Sequence, residues 1–254
     1  MARFRARDLV VDTKPDMTPV SDADRAVEQA LRDHLARDRP GDGILGEELG
    51  GEVGPSDDRE QHGRRWIIDP IDGTKGYVRG LPVWATLLAL ETDGVVQVGV
   101  VSAPALGRRW WAVRGGGAFA DGEPIRVSEV AALDDAQLSY DSIVDFEARG
   151  LGDRFLALVR RCWRTRAFGD FWSHVLVAEG SVDVSVEPYG LSPWDVAPLL
   201  VIVEEAGGRL TDLTGVARID GGAAVATNGL LHDDVLATLG AGHDDRAARD
   251  GGSA

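Results

Sequence analysis

Apolar residues recur at helical spacing directly after Ser21. The positions that share one face of this predicted helix are Ala23, Ala26, Val27, Ala30, Leu31 and Leu35. Ser21 and Asp24 form a capping box, the arrangement that starts many helices. The run Asp38-Arg39-Pro40-Gly41 then ends the pattern. The first regular element is therefore predicted to be an amphipathic helix.

Strand-like patterns follow over the rest of residues 1–125. The apolar runs at 83–90, 95–101 and 109–113 predict strands, and Asp93-Gly94 is a hairpin signal. Residues 50–64 are polar and rich in glycine, which predicts an exposed loop, and Gly115-Gly116-Gly117 predicts a turn. We therefore expect an N-terminal half, residues 1–125, made of a helix and an antiparallel sheet.

The second half alternates between the two kinds of pattern. Strands are predicted at 137–140, 165–168, 182–186 and 223–226. Helices are predicted at 151–162, 171–179, 193–206 and 230–239. This alternation indicates a layered α/β half over residues 126–242. Residues 243–254 are polar, and we expect a disordered tail there.

Composition narrows the classes of function. The chain has 254 residues and a formal net charge of -15, which argues against nucleic-acid or anionic-membrane binding. An acidic protein can still bind a phosphate when metal ions supply positive charge locally. Cys162 is the single cysteine, so no internal disulfide forms, and a reducing, cytoplasmic setting is expected. No apolar run is long enough for a transmembrane helix, and no secretory signal begins the chain.

The most informative stretch is Trp66-Ile67-Ile68-Asp69-Pro70-Ile71-Asp72-Gly73-Thr74. It delivers two carboxylates and a hydroxyl into a turn that contains glycine. Hard divalent cations prefer oxygen ligands, and phosphate binds free backbone N–H groups at a helix start. At average residue usage, the five specified residues of Asp-Pro-x-Asp-Gly-Thr would occur together by chance at about one in a million starting positions. The alternative is a simple turn, since Asp-Pro and Asp-Gly are common turn dipeptides.

Three further acids are candidates for the same chemistry. Glu47 ends a short apolar run, Asp195 follows Ser192 and Pro193 at a predicted helix start, and Asp24 lies in the first capping box. For Asp24 and Asp195 the alternative role is helix capping without a metal, and for Glu47 it is a solvated loop. The residues alone do not show that these acids meet in space.

From about Lys14 to Leu239 the chain resembles the inositol monophosphatase family of Mg²⁺-dependent, lithium-sensitive phosphatases. Besides the stretch described above, the resemblance rests on Asp22-Ala23-Asp24, Gly46-Glu47-Glu48, Trp194-Asp195-Val196-Ala197 and Glu204-Glu205-Ala206-Gly207-Gly208. It implies a layered α/β fold, the αβαβα sandwich of the sugar phosphatase type. It also implies a homodimer that acts on a small phosphorylated substrate.

The resemblance implies a ligand set for two to three Mg²⁺ ions, with Mn²⁺ as the alternative metal. Glu47, Asp69 and the Ile71 carbonyl would hold one ion. Asp69, Asp72 and Asp195 would hold a second ion, and Glu47 would also contact a third ion that binds more weakly. The clustered carboxylates would be costly without cations, because like charges at short range disfavour ionisation.

The same resemblance assigns the remaining catalytic parts. Asp24 would pair with the Thr74 hydroxyl, which helps to position the attacking water, while the N–H groups of Gly73 and Thr74 cradle the phosphate. Such an in-line displacement needs positioning rather than a protein nucleophile. A rival is the haloacid-dehalogenase type with its covalent aspartyl phosphate, but there one residue separates the two acids, whereas two separate Asp69 from Asp72.

Within the family the chain is similar to the histidinol-phosphatases of the actinobacterial type. The similarity rests on Thr13-Lys14-Pro15-Asp16, Val78-Arg79-Gly80, Ser102-Ala103-Pro104-Ala105-Leu106, Arg109-Trp110-Trp111 and Phe168-Gly169-Asp170-Phe171. Gly169, Asp170, Phe171 and Glu187 match positions that face the organic part of the substrate, as Asp72 and Asp195 face its phosphate.

Two acids near the organic end would suit histidinol phosphate, which carries an ammonium and an imidazole. The alternative for Asp170 is a helix-start acid favoured by the helix dipole. The alternatives for the protein are an inositol-1-monophosphatase, a related sugar or nucleotide phosphatase, and a non-catalytic acidic metal-binding protein.

Overall fold

The structure is a computed structural model, and it describes residues 1–14, 19–52 and 63–240. Three features of the sequence lie wholly or partly outside these ranges. They are the Pro15-Asp16 half of one motif, most of the loop predicted at 50–64, and the tail predicted at 243–254.

The described residues form seven α-helices, one 3₁₀ helix at Leu133–Asp135 and fifteen strands. The helices are α1 Asp22–Asp38, α2 Thr74–Val78, α3 Ile143–Ala148, α4 Gly152–Arg161, α5 Asp170–Ala178, α6 Pro193–Glu205 and α7 His232–Leu239. The strands of the N-terminal half are β1 Val11–Thr13, β2 Pro19–Ser21, β3 Gly43–Gly46, β4 Gly50–Glu52, β5 Arg64–Asp72, β6 Ala85–Thr92, β7 Val95–Ala103, β8 Arg108–Val113, β9 Gly117–Ala120 and β10 Glu123–Pro124. Those of the C-terminal half are β11 Gln137–Tyr140, β12 Arg164–Arg166, β13 Val184–Glu187, β14 Arg209–Thr211 and β15 Ala224–Thr227.

Two large sheets form the framework. The first has eight strands in the order β10-β9-β8-β7-β6-β5-β3-β4 and is antiparallel except where β3 runs parallel to β5. The second has five strands in the order β12-β11-β13-β15-β14, with β11 parallel to both of its neighbours. Helix α1 packs on the first sheet, α5 and α6 lie between the sheets, and α3, α4 and α7 cover the outer face of the second. This arrangement confirms the predicted layered α/β fold class.

Element positions agree with the sequence patterns wherever periodicity was strong. Helix α1 begins after its Ser21 cap, and α4 to α7 lie within two residues of the predicted ranges. The predictions failed at short elements. Those not foreseen are α2, α3, the 3₁₀ helix at Leu133–Asp135 and the strands β1 to β3, β9, β10 and β14, and Gly117 begins a strand instead of ending a turn. Residues 50–52, assigned to a loop, form β4. These segments are too short for a repeat pattern to show, so tertiary pairing decides their structure.

Helix α6 is the central element of the fold. Its residues from Val196 to Val203 are all buried, because both sheets cover it. A helix that is apolar all round belongs in a protein core. Across the described ranges every helix is too short or too polar to span a bilayer.

The approach of α6 to the first sheet depends on a small residue in β7. Gly99 faces Ala89 and Ala112 in the neighbouring strands, so this patch of the sheet carries little side-chain volume. A Cβ placed on Gly99 would lie 2.4 Å from the Pro198 carbonyl oxygen and 2.6 Å from a Val201 methyl group. The helix therefore rests almost directly on the strand backbone, which sets the height of Asp195 above the sheet.

We predict that Gly99→Ala destabilises the protein by about 1–3 kcal/mol, the usual cost of overpacking a core. Urea unfolding measures the change. Gly41→Ala is the matched control, because nothing lies within 4 Å of a Cβ at that exposed glycine. Equal unfolding midpoints for the two variants would contradict the close packing of α6 on β7.

Candidate active site

A bulge in β5 brings its two aspartates to one place. Side chains three positions apart on a regular strand point to opposite faces. Between Asp69 and Asp72 the pairing register with β6 shifts, and Pro70 has no N–H to offer the ladder. The Pro70 carbonyl instead accepts from the Thr86 hydroxyl at 2.8 Å, and the Ile71 N–H donates to Asp69 Oδ1 at 2.9 Å. The local irregularity thus places both carboxylates on one side.

Glu47 reaches the same place from the parallel strand β3. Its N–H donates to the Ile68 carbonyl at 3.1 Å, which extends the β3–β5 pairing by one residue. Behind it, the buried Glu28 carboxylate accepts from the N–H groups of Glu48 and Leu49 at 2.8 and 3.2 Å. This buried acid therefore shapes the turn that presents Glu47, a role that the sequence patterns did not reveal.

Asp195 lies at the start of α6 and not on the strands that carry the other acids. Its Oδ2 accepts from the Ser192 N–H at 2.7 Å, so the predicted capping contact is present. The same side chain faces Asp69 and Asp72, and one carboxyl oxygen from each of the three lies within 4.8 Å of the others. Helix capping and membership of the acidic cluster are therefore compatible at this residue.

The raised pKa values of the clustered carboxyl groups indicate that the site favours a bound cation. Burial raises the pKa of Asp69 well above its ordinary value, and the charges of Glu47, Asp72 and Asp195 raise it further. Burial also raises the pKa of Asp72, with Asp170 and Asp195 adding to the effect. The pKa of Asp195 is raised to about 7, mainly by burial. Oxygen ligands that ionise reluctantly without a counter-charge fit a hard divalent cation.

Lys14 supplies one positive charge beside this cluster. Its Nζ lies 2.7 Å from Glu47 Oε1 and 2.5 Å from Glu48 Oε1. Although burial opposes its charge, the hydrogen bonds to the two glutamates raise the pKa of Lys14. Glu47 thus shares its carboxylate between this ammonium and the acidic cluster.

Asp24 and Thr74 meet next to the cluster, as the resemblance implied. The Thr74 hydroxyl lies 3.2 Å from Asp24 Oδ1 and 2.9 Å from the Ile71 carbonyl oxygen. Asp24 Oδ2 accepts from the Ser21 N–H at 2.8 Å and from the Ser21 hydroxyl at 2.5 Å. Asp24 therefore both caps α1 and contacts the site, so the two roles considered for it coexist.

A second segment closes the site from the C-terminal half. The Phe171 N–H at the start of α5 donates to Asp72 Oδ2 at 2.7 Å. Gly73 adopts a φ of +81°, and Asp170 Oδ2 is 3.3 Å from the point where its Cβ would lie. Asp170 itself has a φ of +47°, a conformation that costs a non-glycine residue free energy. Such strain next to a cluster of acids is typical of a functional site.

A cavity of about 360 Å³ opens from the cluster toward the second sheet. Asp72 and Asp195 of the cluster line it, and so do Asp170 and Glu187, for which the sequence predicted contacts with the substrate. The cavity also exposes residues that the sequence did not suggest, namely Lys75, Asp141, Asp145, His174 and Tyr189. Burial, with the charges of Asp141 and Glu187, raises the pKa of Asp170 to about 7. The wall is therefore strongly acidic.

Sequence reasoning missed Asp141 although one signal was available. Asp141 follows β11 and Glu187 ends β13, and these parallel strands pair with Tyr140 opposite Val186. The carboxyl ends of parallel strands lie at the same edge of a sheet, where α/β proteins bind ligands. Recognising that β11 and β13 are neighbours would have placed Asp141 beside Glu187.

A larger groove of about 430 Å³ lies elsewhere and contains none of the predicted site residues. It is lined in part by Arg65, Arg114 and Arg218. Each of these guanidinium groups already pairs with a carboxylate within 3.1 Å. The chemistry of the acidic cavity is therefore the better guide to function.

Comparison with known proteins agrees with the geometry. Residues 1–244 match the profile of the inositol monophosphatase family. The chain is 59% identical over 245 residues to the histidinol-phosphatase of Mycobacterium tuberculosis, covering 94% of this chain and 92% of that protein. It is 53% identical over 249 residues to the histidinol-phosphatase of Streptomyces coelicolor, covering 94% and 90%. A solved Thermotoga maritima IMPase superposes with a TM-score of 0.82 at 36% identity, covering 94% of this chain and 90% of that one.

We predict that a divalent cation stabilises the metal-free protein more at pH 8 than at pH 5. The folded Asp195 has a pKa of about 7, above that of an unfolded carboxyl, so the metal-free fold binds more protons and loses stability as pH rises from about 4 to 7. Cation binding needs the ionised form and so reverses this loss.

Thermal melting with and without Mg²⁺ at each pH measures the effect, and K⁺ at equal ionic strength controls for screening. An equal shift at both pH values would show that these carboxylates are not the binding groups.

Proposed function

This chain belongs to the inositol monophosphatase family, and we propose that it hydrolyses phosphomonoesters with the help of metal ions and prefers histidinol phosphate as its substrate. The observation that carries the proposal is the convergence of Asp69, Asp72 and Asp195, the last two of which line an acidic cavity. Metal ligands at this cluster suit the phosphate, and the other carboxylates of the cavity suit a cationic organic group. The two histidinol-phosphatases that share more than half of this sequence support the choice of ester.

The acidic cluster would divide the ligands between two or three cations. Asp69, Asp72 and Asp195 would hold one ion, and Glu47, Asp69 and the Ile71 carbonyl another, with Glu47 reaching a third. The Ile71 carbonyl accepts one hydrogen bond from Thr74 and keeps a second lone pair for a metal. Bound divalent cations supply an acidified water and neutralise the charge that develops on the leaving oxygen.

Thr74 and Asp24 would orient the attacking water. A threonine hydroxyl has one proton and two lone pairs. When that proton is directed to Asp24 or to the Ile71 carbonyl, the lone pairs of Oγ1 face the site and can accept from a water. Asp24 is completely buried and held by Ser21, so the geometry is set before substrate arrives. Such preorganisation is a large part of enzymatic phosphoryl transfer.

The phosphate would sit against the turn that joins β5 to α2. The left-handed conformation of Gly73 turns the chain so that the next N–H groups stand at the start of a helix. Asp170 lies close to this turn and holds the next part of the substrate. Gly73 and Thr74 thus bind the phosphate, while Asp170 and Glu187, with Gly169 and Phe171 shaping the entrance to α5, face the alcohol.

Two other functions remain as alternatives with defined outcomes. The similarity to the Thermotoga maritima IMPase favours a phosphatase for neutral polyol esters as the second candidate. A non-catalytic metal-binding protein would bind Mg²⁺ without releasing phosphate. A rival mechanism for the same function, a covalent aspartyl phosphate, would be revealed by borohydride, which reduces the acyl phosphate, releases phosphate and leaves homoserine in place of the aspartate; the water-activated mechanism forms no such group.

Further properties go with the proposal. We expect Mg²⁺ to be the working ion, with Mn²⁺ able to replace it, and Li⁺ to inhibit. We expect a homodimer, which light scattering tests directly. The free thiol of Cys162 is consistent with a reducing, cytoplasmic setting.

We predict that Asp72→Asn lowers phosphate release by at least about 100-fold, because a charged metal ligand becomes neutral. The asparagine oxygen can still accept from the Phe171 N–H, so the fold should remain. Phosphate release with Mg²⁺ and circular dichroism measure the two quantities. Asp135→Asn removes the same charge from an exposed residue outside the cavity and serves as the control. Undiminished activity in a folded Asp72→Asn protein would rule out the proposed site.

We predict that Asp170→Asn lowers kcat/KM for histidinol phosphate by about 10–100-fold, the loss of one charged hydrogen bond. Asparagine tolerates the left-handed conformation found at this position, so backbone strain stays similar. Hydrolysis of inositol 1-phosphate, which lacks the cation, should be spared. Equal losses for the two esters would assign Asp170 to the fold or to the phosphate, and faster wild-type turnover of inositol phosphate would favour the second candidate.

A further inference from the structure

We propose that Asp141, supported by Asp145, binds the imidazole ring of the substrate at the outer part of the cavity, while Asp170 binds the ammonium group next to the ester. This inference rests on the proposed function, and it assigns separate residues to the two cationic groups. Asp141 lies between β11 and α3, where its side chain borders the cavity. It is then a specificity-determining residue remote from the reacting atoms.

The acids follow one another in a fixed order away from the phosphate turn. Asp170 Oδ2 is 3.3 Å from the Cβ position of Gly73, so Asp170 borders the turn itself. Asp141 Oδ1 is 2.5 Å from the Cβ position of Gly169, the residue before Asp170. Asp145 lies in the first turn of α3, which begins just after Asp141, and it also lines the cavity. The order along the wall is therefore Gly73, Asp170 and Asp141, with Asp145 near Asp141.

The electrostatic coupling of these groups shows which acids face one another. After burial, the charge of Asp170 is the largest cause that raises the pKa of Asp72. After burial, the charge of Asp141 is the largest such cause at Asp170. Burial raises the pKa of Asp141, and the charges of Glu187 and then Asp145 add to it. Asp170 thus faces the acidic cluster and Asp141, while Asp141 faces Glu187 and Asp145.

Histidinol phosphate presents its groups in a matching order. The phosphate ester is followed by one methylene, then the carbon that bears the ammonium, then a second methylene and the imidazole. An ammonium this close to the phosphate must lie near Gly73, where Asp170 stands. The ring is further out and meets Asp141 and Asp145. Because an imidazole titrates near pH 6.5, it can be held as a cation or as an N–H donor.

The excess of carboxylates over ammonium groups in the cavity suits a ligand with two cationic groups. Four carboxylates beyond the metal cluster line it, from Asp141, Asp145, Asp170 and Glu187, against the single ammonium of Lys75. A substrate with one positive charge would leave most of this negative charge without a partner. A second cationic group at the outer acids compensates more of it, which favours a dication over a simple amino alcohol.

His174 adds an acceptor to the same wall. It is 1% exposed, and its Nε2 lies 3.1 Å from Glu187 Oε1. Its Nδ1 has no hydrogen-bond partner among the described residues. If Nε2 carries the proton and donates to Glu187, Nδ1 is an acceptor. His174 also lines the cavity, so an acceptor nitrogen without a partner among the described residues lies within the wall that carries the carboxylates.

The test compares Asp141→Asn with the wild-type protein on two esters. O-Phosphoethanolamine has the same two-carbon spacing from phosphate to ammonium as histidinol phosphate and lacks the ring. We expect Asp141→Asn to lower kcat/KM for histidinol phosphate by about 10–100-fold. The value for O-phosphoethanolamine, measured by turnover or as a competitive Ki, should stay within about twofold, since the ring contact is absent there. Asp170→Asn should weaken both esters.

Two comparisons keep the result interpretable. Asp135→Asn removes the same charge outside the cavity and should change neither ester. Asp145→Asn should resemble Asp141→Asn with a smaller loss, which provides a second route if Asp141→Asn unfolds. Most of the loss should be in KM rather than in kcat, because the ring is remote from the reacting atoms.

Three outcomes would overturn the inference. Equal losses on both esters would place Asp141 at the ammonium or in the fold, and no loss on histidinol phosphate would remove it from the substrate. Wild-type protein that does not prefer histidinol phosphate to O-phosphoethanolamine would exclude ring recognition altogether. Failure of the proposed function looks different, because the wild-type protein would then not hydrolyse histidinol phosphate at all.

Discussion

Mutual repulsion among carboxylates is the constraint on which this structure depends. Asp69, Asp72 and Asp195 bring oxygens within 4.8 Å of one another, and Glu47 stands beside Asp69. Burial, and after it the neighbouring like charges, oppose ionisation and raise the pKa values of Asp69, Asp72 and Asp195. The fold must therefore hold these carboxylates together by other contacts. A divalent cation that binds among them would offset the free-energy cost of placing their negative charges close together.

Hydrogen bonds from backbone N–H groups hold the acids of the site in position. Each acid of the site is tied to a structural feature that would exist without a metal: Asp69 to the bulge in β5, Asp195 to the start of α6, and Asp24 to the start of α1. The N–H of Phe171 donates to Asp72 across 99 positions of sequence, so the site also joins the two halves of the chain. Buried Glu28 shapes the turn that presents Glu47. Secondary structure therefore positions the members of the cluster.

Reaction and recognition occupy different parts of the fold. The eight-stranded sheet and the start of α6 carry the groups that would act on the phosphate. The wall of the cavity comes from α5, β13 and the end of β11, which belong to the five-stranded half. On the proposed function, substitutions at Asp141 or Asp170 would change the preferred alcohol with no change in the metal ligands. Such a separation would let one fold serve esters of different alcohols.

The sequence alone determined the long elements, the capping boxes at Ser21 and Ser192, and the Asp69–Thr74 turn, because each depends on residues within a few positions of one another. Its resemblance to a known family also pointed to the residues that the structure brings together. Only the tertiary structure decided that Asp69 and Asp72 share a face, since the bulge depends on pairing with β6. It alone placed Glu28 beneath Glu47 and Asp141 beside Glu187, for contacts between distant strands and helices leave no local periodic pattern.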